Sequence, residues 1–181
     1  IKRVVIMGPP HRVWLKGIGV PSSKAFETPL GRIPIAQEQI RKLLKHYSMV
    51  ETRDDAHEQE HCIEVQLPFL QEVLSEFELL PLLVGDTLTS QVAGLIELIH
   101  EDPGSLILIS TDLSHFLPYH EAVGLDGKTA EAIESFDETC IAPTQACGAH
   151  PLRGLLHFAL RSRWDITRLG LCNSGDTAGS K

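Results

Sequence analysis

Leu79-Leu80-Pro81-Leu82-Leu83-Val84, closed by Gly85, is the longest unbroken apolar run in the chain. It falls far short of the roughly 20 residues that span a bilayer. It has the length of a β-strand, and its lack of a polar side predicts a strand covered on both faces. Leu106 to Ser110 shows the same character downstream, and Ile1 to Met7 shows it at the start, breaking at Gly8-Pro9-Pro10.

Helical spacing fills the intervals. Ile40, Leu43, Leu44 and Tyr47 predict a helix over Gln37 to Tyr47, and Ile63, Leu67, Leu70, Val73, Leu74 and Phe77 predict another, with Pro68 near its start. Further helices are predicted over Val92 to Ile99, Ala122 to Phe136 and about Ala146 to Arg161. Thr28-Pro29-Leu30-Gly31 reads as a turn between two short extended pieces, and Ile166 to Cys172 as a closing strand. Apolar strands alternating with helices predict an α/β fold of three layers, a mostly parallel central sheet flanked by helices. No repeat or linker interrupts the 181 residues, so one domain over 1–181 is expected.

Composition narrows the function. With 43% hydrophobic residues and no low-complexity segment the chain is not disordered. A formal net charge of −8 argues against a general nucleic-acid binder, and no stretch suits a membrane. Cys62, Cys140, Cys147 and Cys172 form no CxxC pair, which predicts free thiols and a cytoplasmic setting. The acidity is local. Glu51 to Glu78 holds nine acids against Arg53 alone, and the rest of the chain is neutral. Arg161, Arg163 and Arg168 read as a solvated face or as partners for that acidic segment.

Within that segment His57-Glu58-Gln59-Glu60-His61 matches HExxH, which on one helix would place two histidines on zinc with Glu58 as general base of a peptidase. The surroundings disagree. Glu64 and Leu67 stand where the longer metzincin motif needs Gly and His, and Asp54-Asp55-Ala56 reads as a helix start that leaves His57 outside. His11, Asp112 and His115 follow strands, and ligands of parallel sheets gather outside the carboxyl ends of strands. Asp112 also suits a helix N-cap. Cys147, at the start of a helix among small residues, gains thiolate character there. His150 stands close behind it.

Gly8-Pro9-Pro10-His11, Glu60-His61-Cys62-Ile63-Glu64-Val65-Gln66-Leu67-Pro68-Phe69, Ser110-Thr111-Asp112-Leu113-Ser114-His115 and Cys147-Gly148-Ala149-His150-Pro151 together resemble the MEMO family, whose prokaryotic members are called AmmeMemoRadiSam system protein B. The resemblance implies the LigB-like fold of the class III extradiol dioxygenases. It implies a mononuclear metal site at His11, His61 and Cys147, with Asp112 and His115 as catalytic groups beside it and His115 as acid/base. Cys147 replaces the carboxylate of the dioxygenase triad, and so soft a ligand fits copper, zinc or a more reducible iron.

Three functions follow. One is a redox-capable, dioxygenase-like iron or copper protein working with a radical-SAM partner. Another is a non-catalytic module that recognises a peptide or a partner protein, and an unknown small molecule or peptide is the expected ligand in general. The third is an HExxH zinc peptidase. The resemblance also implies that the family's N-terminal segment and final strand are lacking. Glu64 is expected to stand behind His61 as its carboxylate partner.

Overall fold

A computed structural model of the protein describes residues 1–177. In chain order the elements are β1 (Arg3–Gly8), β2 (Ile18–Val20), β3 (Ala25–Thr28), β4 (Gly31–Pro34), α1 (Gln37–His46), β5 (Val50–Thr52), α2 (Asp54–His57), α3 (Leu67–Val73) and β6 (Glu78–Val84). They continue as α4 (Thr89–His100), β7 (Ser105–Ile109), α5 (Tyr119–Glu134), α6 (Ala149–Arg161) and α7 (Ser174–Thr177). Among the described residues no helix is long and apolar enough to cross a membrane.

Five strands form the central sheet in the order β5-β2-β6-β1-β7. β1 runs parallel to both β6 and β7, and β2 runs parallel to β5 but antiparallel to β6. The fold is therefore α/β with a mostly parallel sheet, as the apolar runs predict. Successive residues of β1 alternate between its two faces. Val5 and Met7 join Leu80, Leu82 and Val84 beneath Ile40 and Leu43 of α1, Val92, Leu95 and Ile96 of α4 and Phe158 of α6. Val4 and Ile6 join Leu79 and Leu83 on the other face, against Ile63 and against Leu67 and Leu70 of α3. The extended pieces around Thr28 and Gly31 pair as the antiparallel β3–β4 hairpin.

Pro81 lies inside β6 opposite Ile6 of β1, although a proline cannot serve a strand flanked on both sides. The sheet resolves this by leaving a gap. On the side away from β1, β6 is met by β2 only at Leu83 and Val84 and by a bridge from Ile35 at Leu79. The missing amide falls between them.

Two expectations change. The helix predicted through Phe77 ends at Val73, with Leu74 extended, and Phe77 is buried separately beside β6. Ile166 to Cys172 is not a strand. Ile166 packs on the cluster of α5 and α6, and Arg168 forms a bidentate pair with Glu134 at 2.8 and 2.7 Å. These contacts tie the segment to the end of α5 instead of to β7. Leu169 is left 98% exposed, and β7 has no outer partner among the described residues. Arg168 therefore finds its acid outside the Glu51–Glu78 segment.

Where β6 ends, Gly85 admits the backbone of Leu15, whose carbonyl accepts the Asp86 N–H at 2.9 Å. A Cβ at Gly85 would run into that carbonyl. Gly85→Ala is expected to cost about 1–3 kcal/mol by overpacking, seen as a lowered urea midpoint.

Candidate metal centre

The loop that leaves β1 turns at Pro9-Pro10 and presents His11, and the chain leaving α2 presents Glu60 and His61. The two imidazoles stack with centroids 4.8 Å apart and planes 22° from parallel. Beneath them lies Glu60, its side chain 1% exposed. Its Oε2 accepts the His11 backbone N–H at 2.5 Å. Its Oε1 accepts the backbone N–H groups of His61 at 2.8 Å and Cys62 at 3.0 Å, and lies 2.8 Å from His11 Nδ1 and 3.3 Å from His61 Nδ1. Burial alone would raise this carboxyl. The hydrogen bonds from the ring and backbone of His11 and from the Cys62 amide outweigh it and hold the group down at about 2.

Among the described residues, His11, Glu60 and His61 form the one group of potential ligands whose donor atoms all lie within 4.8 Å of one another, a spacing compatible with one metal ion. Two residues expected near a metal are thus together, and Glu60 joins them. Glu64, expected as the carboxylate behind His61, faces solvent in a 3-10 turn. Its place is taken by Glu60, whose neighbours Cys62 and Ile63 are buried apolar anchors.

Cys147, Asp112 and His115 assemble next to one another as a second set. Cys147 precedes Gly148, the cap of α6, and its Sγ accepts the Asp112 N–H at 3.1 Å, with Thr111 Oγ1 at 3.6 Å. Thr111 Oγ1 also accepts the Gly148 N–H at 2.8 Å, and a Cβ on Gly148 would meet Thr111 Cβ at 2.8 Å. Gly148 is thus required for this close approach. Asp112 is exposed and caps no helix; its Oδ2 lies 3.8 Å from His115 Nε2. Cys147 and His150 line a cleft of about 230 Å³ with Pro9, Pro10 and Trp14. Thr111, Asp112 and His115 line a larger one of about 700 Å³. Cys62 lies under Gly8, its Sγ 3.3 Å from the Pro9 carbonyl, and burial pushes its thiol up.

The HExxH reading does not survive. His57 is the last residue of α2, inside the helix and not outside it as expected, and His61 lies beyond the helix. His57 is spent on the fold, with Nε2 at 3.0 Å from the Gly19 carbonyl of β2. Burial lowers its pKa, more than the Gly19 contact and nearby acids raise it. The unfolded chain then takes up a proton near 6.5 that the folded chain takes up only at lower pH. Below pH 6.5 the unfolded state binds more protons, so this residue's contribution to stability shrinks as pH falls. Comparing melting temperatures of wild type and His57→Gln from pH 7.5 to 5.5 should show a steeper decline in the wild type.

A family model described as "Memo-like protein" matches residues 1–158. A MEMO1 family protein of Thermotoga maritima is 31% identical over 186 residues, which cover 97% of this chain and 66% of that protein. Its counterpart in Thermotoga neapolitana is 33% identical over 97% of this chain and 66% of its own length. One from Ignicoccus hospitalis is 32% identical over 98% and 67%. The chain spans about two thirds of the length of these relatives.

Proposed function

The chain belongs to the Memo-like family, and from that premise we propose that it is a metal-binding protein whose mononuclear iron or copper is held by His11, His61 and Cys147. The observation that carries this reading is the stacked histidine pair over the buried Glu60. Two imidazoles held on one carboxylate suit such an ion, while Cys147, whose Sγ lies outside that close group of donors, comes in as third ligand from the family resemblance. A bound iron or copper would supply a one-electron centre with positions open to a small ligand.

This chain's own residues do the rest. The Asp112 N–H donates to Cys147 Sγ at 3.1 Å and holds the sulfur in place, while the Thr111 hydroxyl donates to the Asp112 carbonyl. Asp112 Oδ2 lies 3.8 Å from His115 Nε2 on the wall of the larger cleft, where an acid/base group would stand. The activity proposed is redox, dioxygenase-like chemistry on a small molecule in the cytoplasm, with a radical-SAM protein as partner. A second reading is a module that binds a peptide without turnover. It is favoured by Trp14, which is 75% exposed and borders the cleft that contains Cys147.

Metal analysis of protein purified without added metal tests the first reading, together with oxygen uptake on catechols and thiols. Stoichiometric iron or copper with uptake supports it. Stoichiometric metal without uptake favours the binding module, and absence of metal sinks the metal centre.

A further inference from the structure

We propose that Glu60 is no ligand but the positioning residue of this centre, fixing His11 as the Nδ1–H tautomer so that Nε2 is the atom offered to a metal. The inference rests on the metal-binding reading of the site. Spacing alone would admit Glu60 as a third ligand, because its oxygens lie close to both imidazoles. The hydrogen bonds argue otherwise. A carboxylate has about four acceptor positions, and four donors already draw on Glu60: the backbone N–H groups of His11, His61 and Cys62 and the His11 ring. Three of them crowd Oε1, the oxygen nearest both imidazoles, and the side chain is 1% exposed, so that oxygen has no acceptor position left for an ion.

An ionised carboxylate only accepts. At 2.8 Å from Glu60 Oε1, His11 Nδ1 must therefore carry the proton, and the lone pair of the neutral ring stands on Nε2. His61 follows by a different route. Its backbone N–H is held by the same oxygen, its Nδ1 lies 3.3 Å from it, and its ring lies nearly flat on that of His11. One buried carboxylate thus sets the backbone of both histidines and the tautomer of one. Partners of this kind typically contribute 10–100-fold to metal affinity.

The test begins on metal-free, nitrogen-15-labelled protein, where long-range proton–nitrogen NMR spectra read each histidine's tautomer. Wild type is expected to show His11 as Nδ1–H. Glu60→Gln replaces one acceptor oxygen by an amide that cannot accept, and should shift His11 toward the Nε2–H form. Titration with Co²⁺ should then show dissociation weakened about 10–100-fold, with the absorption bands at saturation unchanged because the ligands are unchanged. Glu60→Asp serves if Glu60→Gln fails to fold, which circular dichroism reports.

An Nε2–H His11 in the metal-free wild type overturns the proposal. So does a Co²⁺ spectrum altered at saturation by Glu60→Gln, the sign of a lost ligand. If wild type takes up no Co²⁺, the metal reading of the site falls, while the tautomer, read without metal, still decides what Glu60 does to His11.

Discussion

If the proposed centre holds a metal, His61→Ala is expected to abolish its uptake, whereas His57→Ala retains it. The two residues are the two histidines of one HExxH string, so the pair of variants separates the string from the site. His61 stacks on His11 and shares its carboxylate, whereas His57 Nε2 is engaged with the Gly19 carbonyl across the chain. Removing a ligand should cost more than the 10–100-fold that follows loss of an outer partner. His11→Ala and Cys147→Ala should behave like His61→Ala. The measurement is metal per chain after purification without added metal, with melting temperature as the control for folding. Loss of metal in His57→Ala together with retention in Cys147→Ala would overturn this assignment.

The largest stability effect is expected at Leu82. Its side chain is fully buried in β6, in the core that joins Val5 and Met7 of β1 to Leu95 and Ile96 of α4. Leu82→Ala removes packing and leaves a cavity whose walls are sheet and helix, neither of which collapses easily. A cost of about 2–5 kcal/mol is expected, a large part of the roughly 5–15 kcal/mol that keeps a domain folded. Val73→Ala, at a position 76% exposed at the end of α3, should stay within about 0.5 kcal/mol. Urea unfolding of both variants checks the contrast, and equal midpoints would contradict the core described above.

What the sequence showed and what it hid follow from where the physical signal resides. β1, β6 and α1 are legible because burial on one or both faces imposes a pattern on each residue. The β3–β4 hairpin is legible through Thr28 to Gly31, a turn fixed by local chemistry. β2 and β5 have three residues each and acquire their strand character from neighbours distant in the chain, so nothing local announces them. Ile166 to Cys172 fails for the opposite reason. It has the apolar residues of a strand but no partner strand among the described residues, and Arg168 binds Glu134 instead. At the site, the histidines stand out by residue type. Glu60 does not, because one acid among nine looks like solvated charge until the fold closes over it and aims three backbone amides and a ring at it.

The reversal of direction between β1 and β2 has a kinetic consequence. The two strands are joined by the short loop that holds His11, yet they do not pair; β6 lies between them, parallel to one and antiparallel to the other. Arg3 pairs with Glu78 and with Ser105, so β1 has no partner within its own third of the chain. Contacts of such sequence separation carry their loop-closure entropy before they return any stability, which slows folding. The loop with His11 spans β6, which lies between the strands on either side of it. The proposed centre thus leans on strand pairings of long sequence separation as well as on the residues that surround it.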